Sequence, residues 1–460
     1  MRILKLIILV ITLGIPSTIS AQNIYNADYT FTIEGLPAGE NMRLAYYLGE
    51  KQYIKQEALS QEGGLVTFKI DTLHVGLCML VFPDNNYFEF VAKEPRVIMK
   101  TNKDDVIGAM EVIASEENAK LYEYLKYNNQ RQMDFQKLEA NTELSDAQRA
   151  TVQMDMEQKG KEKREEFIEK YPESYLAQLI ASSIEYEPKE APAGLSEDEI
   201  SAYTFYDYRK HYFDNIDFST SELLYSPVYH PKMMAYIDQL TVPQPDSLIV
   251  ASDYLLKKAS ANDEYFKYTL ITLLNKFAKS QVICQDEVYL HLIDTYYLNG
   301  KAVWMDEEGL SKLKASADNL RNNLCGRLAV NFELPDVNGT NQSLYAQSAD
   351  WTILAFMQND CIPCEKTLEE LSKMDQSILP SFNVVTVFAE GDNAVWKGLL
   401  MQKTKSNWVN LMNVNSALNI ERDYNVQSTP TLYLLDKEKR IVLKRISASQ
   451  INDYLKSLAN

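Results

Sequence analysis

The chain has 460 residues, with 46 Lys or Arg against 64 Asp or Glu, and a formal net charge of −18 at pH 7. This length accommodates about three domains, each large enough to bury its own core. Because nucleic-acid binding requires clustered cations to neutralise phosphates, the acidic balance argues against a nucleic-acid partner.

The first 21 residues have the pattern of an export signal peptide. Arg2 and Lys5 precede an apolar run at 6–15, and small residues follow up to Ala21, where we expect cleavage. The run is too short to span a bilayer, and no later run reaches about 18 apolar residues, so no membrane span is expected. No cysteine precedes Cys78, which argues against lipid attachment. The predicted localisation is periplasmic or otherwise exported.

Residues 22–103 are predicted to form a small β-sandwich. Short runs of apolar or alternating residues recur here and are separated by Gly residues and by a Pro-Asp-Asn-Asn turn, a pattern typical of all-β domains. The predicted strands lie at 29–33, 42–47, 65–70, 77–82, 87–91 and 96–100.

Residues 104–325 are predicted to form a mostly α-helical middle domain. Ser196 and Glu199 have the spacing of a capping box, which begins a helix. The segments are too irregular in length for a repeat, and the many Tyr side chains are interpreted as core rather than as a binding platform. Further predicted helices lie at 159–170, 175–184, 233–240, 247–259, 263–279, 286–297 and 307–320.

Residues 326–460 are predicted to form an α/β domain. A β-α-β unit followed by a β-hairpin and a closing helix predicts a mixed sheet with helices on both faces. After a first strand near 332, the predicted strands lie at 351–357, 384–389, 431–435 and 441–444, and the predicted helices at 365–375, 394–403 and 449–458.

Cys361 and Cys364 lie at the turn between a predicted strand and a predicted helix. The unpaired amides and the dipole at a helix N-terminus stabilise an anion, so a Cys placed there is favoured as a thiolate, the nucleophile of disulfide exchange. Cys364, one turn further on, can close a disulfide with Cys361. This pattern predicts a redox-active pair.

The other three cysteines show no comparable pattern of a redox site. Cys78 and Cys284 lie in or beside apolar segments and are interpreted as small buried side chains. Cys325 lies at a predicted hinge ahead of the last domain and is interpreted as inert, with pairing to an upstream cysteine left open. An odd number of cysteines leaves at least one thiol without an intramolecular partner.

Three segments of the last domain together carry a resemblance: residues 331–339, the Cys361/Cys364 pair, and residues 428–432 around Pro430. With these, residues 326–460 resemble the thioredoxin-like fold, and specifically exported thiol:disulfide oxidoreductases of the TlpA/ResA type. The upstream parts resemble N-terminal β-rich and helical modules of unknown function in exported proteins of Bacteroidetes-type bacteria.

The resemblance implies roles for particular residues. Cys361 would attack a substrate disulfide, and Cys364 would resolve the mixed disulfide. Pro430 would be a cis-proline beside the dithiol, in the substrate groove. Thr429 and Pro363 would bind the substrate, with the Thr429 backbone pairing with an extended segment, and Pro363 would also favour the reducing direction. The implied partners are protein thiol or disulfide substrates and an upstream electron donor, with no cofactor. The oligomeric state is left open.

The chain departs from the resembled family at two positions. Asp360 stands where the family usually has Trp, and Ala355 stands where thioredoxins carry a buried acid. A carboxylate beside Cys361 raises the pKa of its thiol and predicts a slower nucleophile. Asp360 or Glu365 is a candidate for proton handling in place of the missing acid.

The dithiol also admits interpretations other than a redox pair. The competing class is a non-catalytic binding or assembly protein in which Cys361 and Cys364 form a structural disulfide. A zinc site is not expected, because the last domain has no His and no second Cys-x-x-Cys pair. A peroxidase of the peroxiredoxin kind is disfavoured because Gln358 stands where its motif has Thr.

Overall fold

The computed structural model describes residues 24–358, 360–375, 378–388, 404–405, 407–414 and 417–459. The predicted signal peptide at 1–21 and the predicted helix at 394–403 lie outside these residues. The described chain divides into two compact units, one made of 24–242 with 251–269 and the other of 243–250 with 270–459.

The first unit begins with two four-stranded sheets, whose strand orders are β4-β1-β7-β8 and β3-β2-β5-β6. Strand β1 pairs antiparallel with β4 and parallel with β7. The strands are β1 Ile24–Glu34, β2 Asn41–Leu48, β3 Lys51–Leu59, β4 Leu65–His74, β5 Gly76–Val81, β6 Tyr87–Ala92, β7 Arg96–Asn102 and β8 Glu111–Ala114.

Aromatic side chains from both sheets form the core between them. In β1, Tyr29 and Phe31 are buried on one face, since alternate residues of a strand point to the same side. The ring of Phe31 lies 5.2 Å from that of Phe90 in β6. The predicted sandwich is therefore confirmed. Two of its strands were not predicted: β3 is largely exposed and lacks a buried face, and β8 lies beyond residue 103.

Helices follow the sandwich, as predicted. They are α1 Glu116–Ala140, α2 Asp146–Lys170, α3 Tyr175–Ser183, α4 Glu197–His211, α5 Tyr229–Asp238, α6 Pro245–Ala259, α7 Asp263–Ala278, α8 Asp286–Leu292 and α9 Glu307–Arg321, with a π-turn at Ile293–Tyr297 after α8. The predicted capping box is present: Ser196 and Glu199 exchange side-chain and backbone hydrogen bonds at the start of α4.

One buried asparagine joins α1 to the sandwich. The side chain of Asn118 is fully buried. Its Oδ1 accepts a hydrogen bond from the Val91 amide at 2.7 Å, and its Nδ2 donates to the Val91 carbonyl at 2.9 Å. The side-chain amide of Asn118 thus pairs with both backbone groups of Val91, as a neighbouring strand would.

The second unit ends in a mixed five-stranded sheet of order β13-β12-β11-β14-β15. Strands β11, β12 and β13 are parallel, whereas β14 runs antiparallel to both β11 and β15. The elements are β9 Glu333–Pro335, β10 Asn341–Ser343, β11 Trp351–Met357, α10 Ile362–Ser372, β12 Phe382–Phe388, β13 Val409–Met412, α11 Ile420–Tyr424, β14 Thr431–Leu435, β15 Ile441–Lys444 and α12 Ala448–Ala459.

Both faces of this sheet are covered, because β11 is buried on each side. Ile353 packs in a core with Leu368 of α10 and Ile451 of α12, whereas Phe356 faces the opposite core with Tyr424 of α11. The predicted α/β architecture is confirmed. The short elements β10, β13 and α11 were not predicted.

The structure corrects two interpretations of the cysteines. Cys284 and Cys325 form a disulfide, with Cα atoms 5.7 Å apart and a sequence separation of 41. Cys284 is therefore partly exposed and disulfide-bonded rather than a small buried side chain, and Cys325 pairs with an upstream cysteine, the alternative that the sequence left open. The sequence separation of the two cysteines did not predict this pairing, because they meet only after the chain has returned through α8 and α9. Cys78 is free and buried, as predicted.

Within the described ranges, no helix is both long and apolar enough to cross a membrane.

Candidate active site around the Cys361–Cys364 disulfide

Cys361 begins helix α10 directly after the turn that follows β11. Its Sγ accepts a hydrogen bond from the Cys364 amide at 3.2 Å, so the cysteine sulfur serves as the N-cap of the helix. Its carbonyl oxygen accepts from the amides of Cys364 and Glu365 at 2.9 and 3.1 Å. Pro363 lies in the first turn, where a missing amide hydrogen costs no helical bond.

The two sulfurs form a disulfide and differ in exposure. The Cα atoms of Cys361 and Cys364 are 5.2 Å apart. Cys361 is partly exposed, whereas Cys364 is fully buried among side chains that include Ala355, Leu368 and Leu432. An external thiol or disulfide therefore has access to Cys361 and not to Cys364.

The segment before β14 lies against Cys361. The carbonyl oxygen of Thr429 is 3.7 Å from the Cys361 sulfur, and the Thr429 hydroxyl is 3.9 Å from it. The peptide bond between Thr429 and Pro430 is cis. The structure thus brings together four of the residues named from the sequence: Cys361, Cys364, Thr429 and Pro430.

The other named residues lie at the surface. Pro363, Asp360 and Glu365 are exposed. Asp360 has a φ of +56°, a left-handed conformation that Asp tolerates better than most residues. Neither carboxylate has a hydrogen bond to a cysteine sulfur in the part of the chain that the structure describes. Their role in proton handling stays a prediction.

Gln358 is a site residue whose contact the sequence did not predict. The Thr429 hydroxyl donates to Gln358 Oε1 at 3.3 Å, which links the end of β11 to the segment preceding β14. The sequence marked Gln358 only as a departure from a peroxidase motif. Its position seven residues after the start of β11 gave no indication of its partner 71 residues later.

A surface cavity of about 620 Å³ lies in the first unit, away from any cysteine. It is lined by charged side chains of α2, by residues 183–188 and by Tyr208 of α4. Lys161 and Glu187 form an ion pair of 3.1 Å in its wall. This ion pair neutralises two of the charged side chains that line the cavity, and the lining does not indicate a particular ligand.

Family models match two parts of the chain. Residues 340–459 match the model of a thioredoxin-like domain. The C-terminal domain is thioredoxin-like. Residues 135–323 match a domain of unknown function, DUF5106, which covers most of the helical region. No curated protein matches the chain.

Solved structures are similar to part of the chain. A thioredoxin-like protein from Bacteroides caccae is 19% identical and covers 59% of this chain and 98% of its own, with a TM-score of 0.44. A domain of a possible thiol-disulfide isomerase from Cytophaga hutchinsonii is 28% identical and covers 29% and 92%, with a TM-score of 0.27. The thioredoxin domain of a thiol-disulfide oxidoreductase from Bacteroides vulgatus is 20% identical and covers 30% and 98%, with a TM-score of 0.26.

Proposed function

We propose that the protein is a thiol:disulfide oxidoreductase that reduces protein disulfides through Cys361 and Cys364. The observation that carries the proposal is the asymmetry of the pair within a thioredoxin-like domain. The accessible sulfur of Cys361 caps a helix, and the sulfur bonded to it is buried. A nucleophile that meets the substrate needs exposure, and a resolving thiol needs only to reach the nucleophile.

The exchange follows from this arrangement. In the reduced protein the Cys361 thiolate attacks a substrate disulfide, forms a mixed disulfide and expels one substrate thiolate. The Cys364 thiolate then attacks the Cys361 sulfur, closes the intramolecular disulfide and releases the second substrate thiolate. Two electrons pass to the substrate, and an upstream dithiol donor restores the reduced pair. The amide of Cys364, which donates to Cys361 Sγ in the oxidised form, stabilises the Cys361 thiolate.

The proposal also covers the localisation of the protein, the direction of the reaction and the way the substrate binds. The signal pattern of residues 1–21 supports export, and the resemblance to the TlpA/ResA type supports a reducing role through Pro363. The Thr429 backbone, whose carbonyl lies beside Cys361, would pair with an extended segment of the substrate protein. Periplasmic fractionation of the full chain and of a chain lacking residues 1–21 tests export.

Insulin reduction in the presence of dithiothreitol tests the reaction. We expect the Cys361→Ser and Cys364→Ser variants to fall to the rate of dithiothreitol alone, because each lacks one sulfur of the exchanging pair. A Cys78→Ala variant is the matched control and should keep the wild-type rate, since Cys78 forms no disulfide and Ala adds no polar group to its buried site. Equal rates for all four proteins would overturn the proposal in favour of a binding protein with a structural disulfide.

Trapping distinguishes the two cysteines. In Cys364→Ser the mixed disulfide on Cys361 cannot be resolved, so substrate proteins should accumulate as covalent adducts that dithiothreitol releases. Cys361→Ser should form no such adducts, because Cys364 is buried. Equal adduct formation by both variants would contradict the assigned roles.

A further inference from the structure

The second disulfide lies between two segments that pack against the C-terminal sheet. On one side of Cys284, Ile283 packs against the core under α10 and α12. On its other side, a carboxylate oxygen of Asp286 lies 2.5 Å from Nζ of Lys444 in β15. Cys284 is thus flanked by an apolar and an ionic contact with the thioredoxin-like domain.

Cys325, the other half of the disulfide, directly precedes a linker that pairs with β15. The amides of Gly326 and Ala329 donate to the carbonyls of Ile441 and Lys439 at 2.7 and 2.9 Å, and the Ile441 amide donates to the carbonyl of Arg327 at 2.8 Å. Residues 326–329 therefore act as an added strand on the free edge of β15. An edge strand without such cover exposes unpaired backbone groups.

Some buried polar atoms close in sequence to the two cysteines have no hydrogen-bond partner within the described ranges. The side chain of Lys444 is 5% exposed and donates to Asp286 and to the carbonyl of Asn323. The remaining oxygens, Asp286 Oδ1 and Asn323 Oδ1, are buried without a hydrogen-bond partner among the described residues. A buried charged group whose neighbours are left unpaired is weakly stabilising at best. The disulfide adds a covalent link between the same two segments.

The disulfide is also accessible and conformationally strained at one end. Cys284 and Cys325 are both partly exposed, unlike the fully buried Cys364. Cys284 has a φ of +68°, a left-handed conformation that residues with a Cβ disfavour. Opening the bond lets this residue leave that conformation, so reduction and local release of the backbone favour each other.

We propose that Cys284–Cys325 is a second redox site, opened by an external protein dithiol, and that its reduction frees the linker 326–329 from β15. A thiolate of the reductant attacks one sulfur, forms a mixed disulfide and expels the other sulfur as a thiolate. The second thiol of the reductant then closes the reductant's own disulfide. Two electrons and the two protons of the reductant's thiols end on Cys284 and Cys325. The site is separate from the Cys361 reaction and does not depend on it.

The test uses the full chain with Cys361→Ser and Cys364→Ser, so that dithiothreitol can act only on the second disulfide. We expect two new thiols to titrate in the folded protein. Amide hydrogen exchange at Gly326, Ala329 and Ile441 should then become about tenfold faster or more, because their hydrogen bonds open. Exchange in α2 should not change, since α2 belongs to the other compact unit.

Two results would overturn the proposal. In one, the two thiols appear but hydrogen exchange at the three amides is unchanged. The disulfide would then have no effect on the linker. In the other, no thiols appear at dithiothreitol concentrations that fully reduce Cys361–Cys364 in the wild-type protein. A Cys284→Ser/Cys325→Ser variant should show the faster exchange without any reductant. The measurement on the Cys361→Ser/Cys364→Ser chain stands whether or not that variant folds.

Discussion

At the scale of single residues, Cys361 combines three properties that a redox nucleophile needs. It is partly exposed, it receives a helix amide on its sulfur, and it lies beside the Thr429 carbonyl. Cys364, by contrast, is fully buried and surrounded by apolar side chains. Since Ala355 occupies the position of the usual buried acid, the proton of Cys364 has no carboxylate at that position to receive it.

Asp360 should slow the nucleophile. Its carboxylate is adjacent in sequence to Cys361, and a neighbouring negative charge disfavours a thiolate and so opposes the helix dipole. Because Asp360 is exposed, the effect is modest. We expect Asp360→Asn to speed alkylation of reduced Cys361 at pH 7 by about two- to fivefold, as the thiolate fraction increases. Iodoacetamide alkylation measured against pH checks the prediction.

Glu369→Gln provides the matched control, because Glu369 is an exposed carboxylate on the same helix that pairs with Lys373. Its alkylation rate should equal that of the wild-type protein. A Cys361 thiol whose pKa falls below about 6 in the wild-type protein would contradict the prediction of a slow nucleophile. Slower alkylation in Asp360→Asn would contradict the role of the carboxylate.

At the scale of elements, single polar groups join helices to sheets. The start of α10 depends on Cys361 itself, and the start of α1 depends on Ser115, which accepts a hydrogen bond from the Asn118 amide. Asn118 in turn binds both backbone groups of Val91 in β6. The caps mark where each helix begins, and the Asn118 contacts hold α1 at Val91 of β6.

Asn118→Ala should destabilise the first unit strongly. The change leaves the amide and carbonyl of Val91 buried without partners, which costs about 2–4 kcal/mol in the free energy of unfolding. Urea denaturation followed by circular dichroism measures the loss. Asn129→Ala on the same helix is the control, because Asn129 has no side-chain hydrogen bond within the described part of the chain, and it should change stability by less than about 0.5 kcal/mol. Equal effects of the two substitutions would show that the Val91 contacts contribute nothing.

At the scale of the whole molecule, buried tyrosine side chains and one buried thiol make the stability of the folded state depend on pH. Burial raises the pKa of Cys78 to about 12. It also raises the pKa of tyrosines in both compact units: Tyr47, Tyr122, Tyr175, Tyr225, Tyr229 and Tyr265 in the first, and Tyr297, Tyr424 and Tyr433 in the second. All of these groups are neutral in the folded protein at pH 7.

The protein should therefore unfold in base. A group whose pKa is higher in the folded than in the unfolded state adds stability that is complete below its unfolded pKa, about 10 for tyrosine, and is lost as the pH rises above it. We expect a cooperative loss of circular dichroism above about pH 10, accompanied by a jump in tyrosinate absorbance. Gradual ionisation of all 29 tyrosines near pH 10 with unchanged circular dichroism would contradict this.

The sequence by itself determined the features that depend on neighbours along the chain. Alternating burial in β1, the capping box at Ser196 and the strand-turn-helix around Cys361 are local, because side-chain period and helix capping act over a few residues. Three marked segments then sufficed to identify the thioredoxin-like domain. Strands β3 and β8 escaped prediction because they do not show the buried alternation that marks a strand.

Only the tertiary structure decided which distant residues meet. The pairing of Cys284 with Cys325, the ion pair of Lys444 with Asp286 and the contact of Gln358 with Thr429 join residues that are 41 to 158 positions apart. No local pattern encodes such contacts, since each is made only when packing of the intervening elements offsets the entropy of closing a long loop. That is why the sequence located the dithiol, and the folded chain revealed its surroundings and the second disulfide.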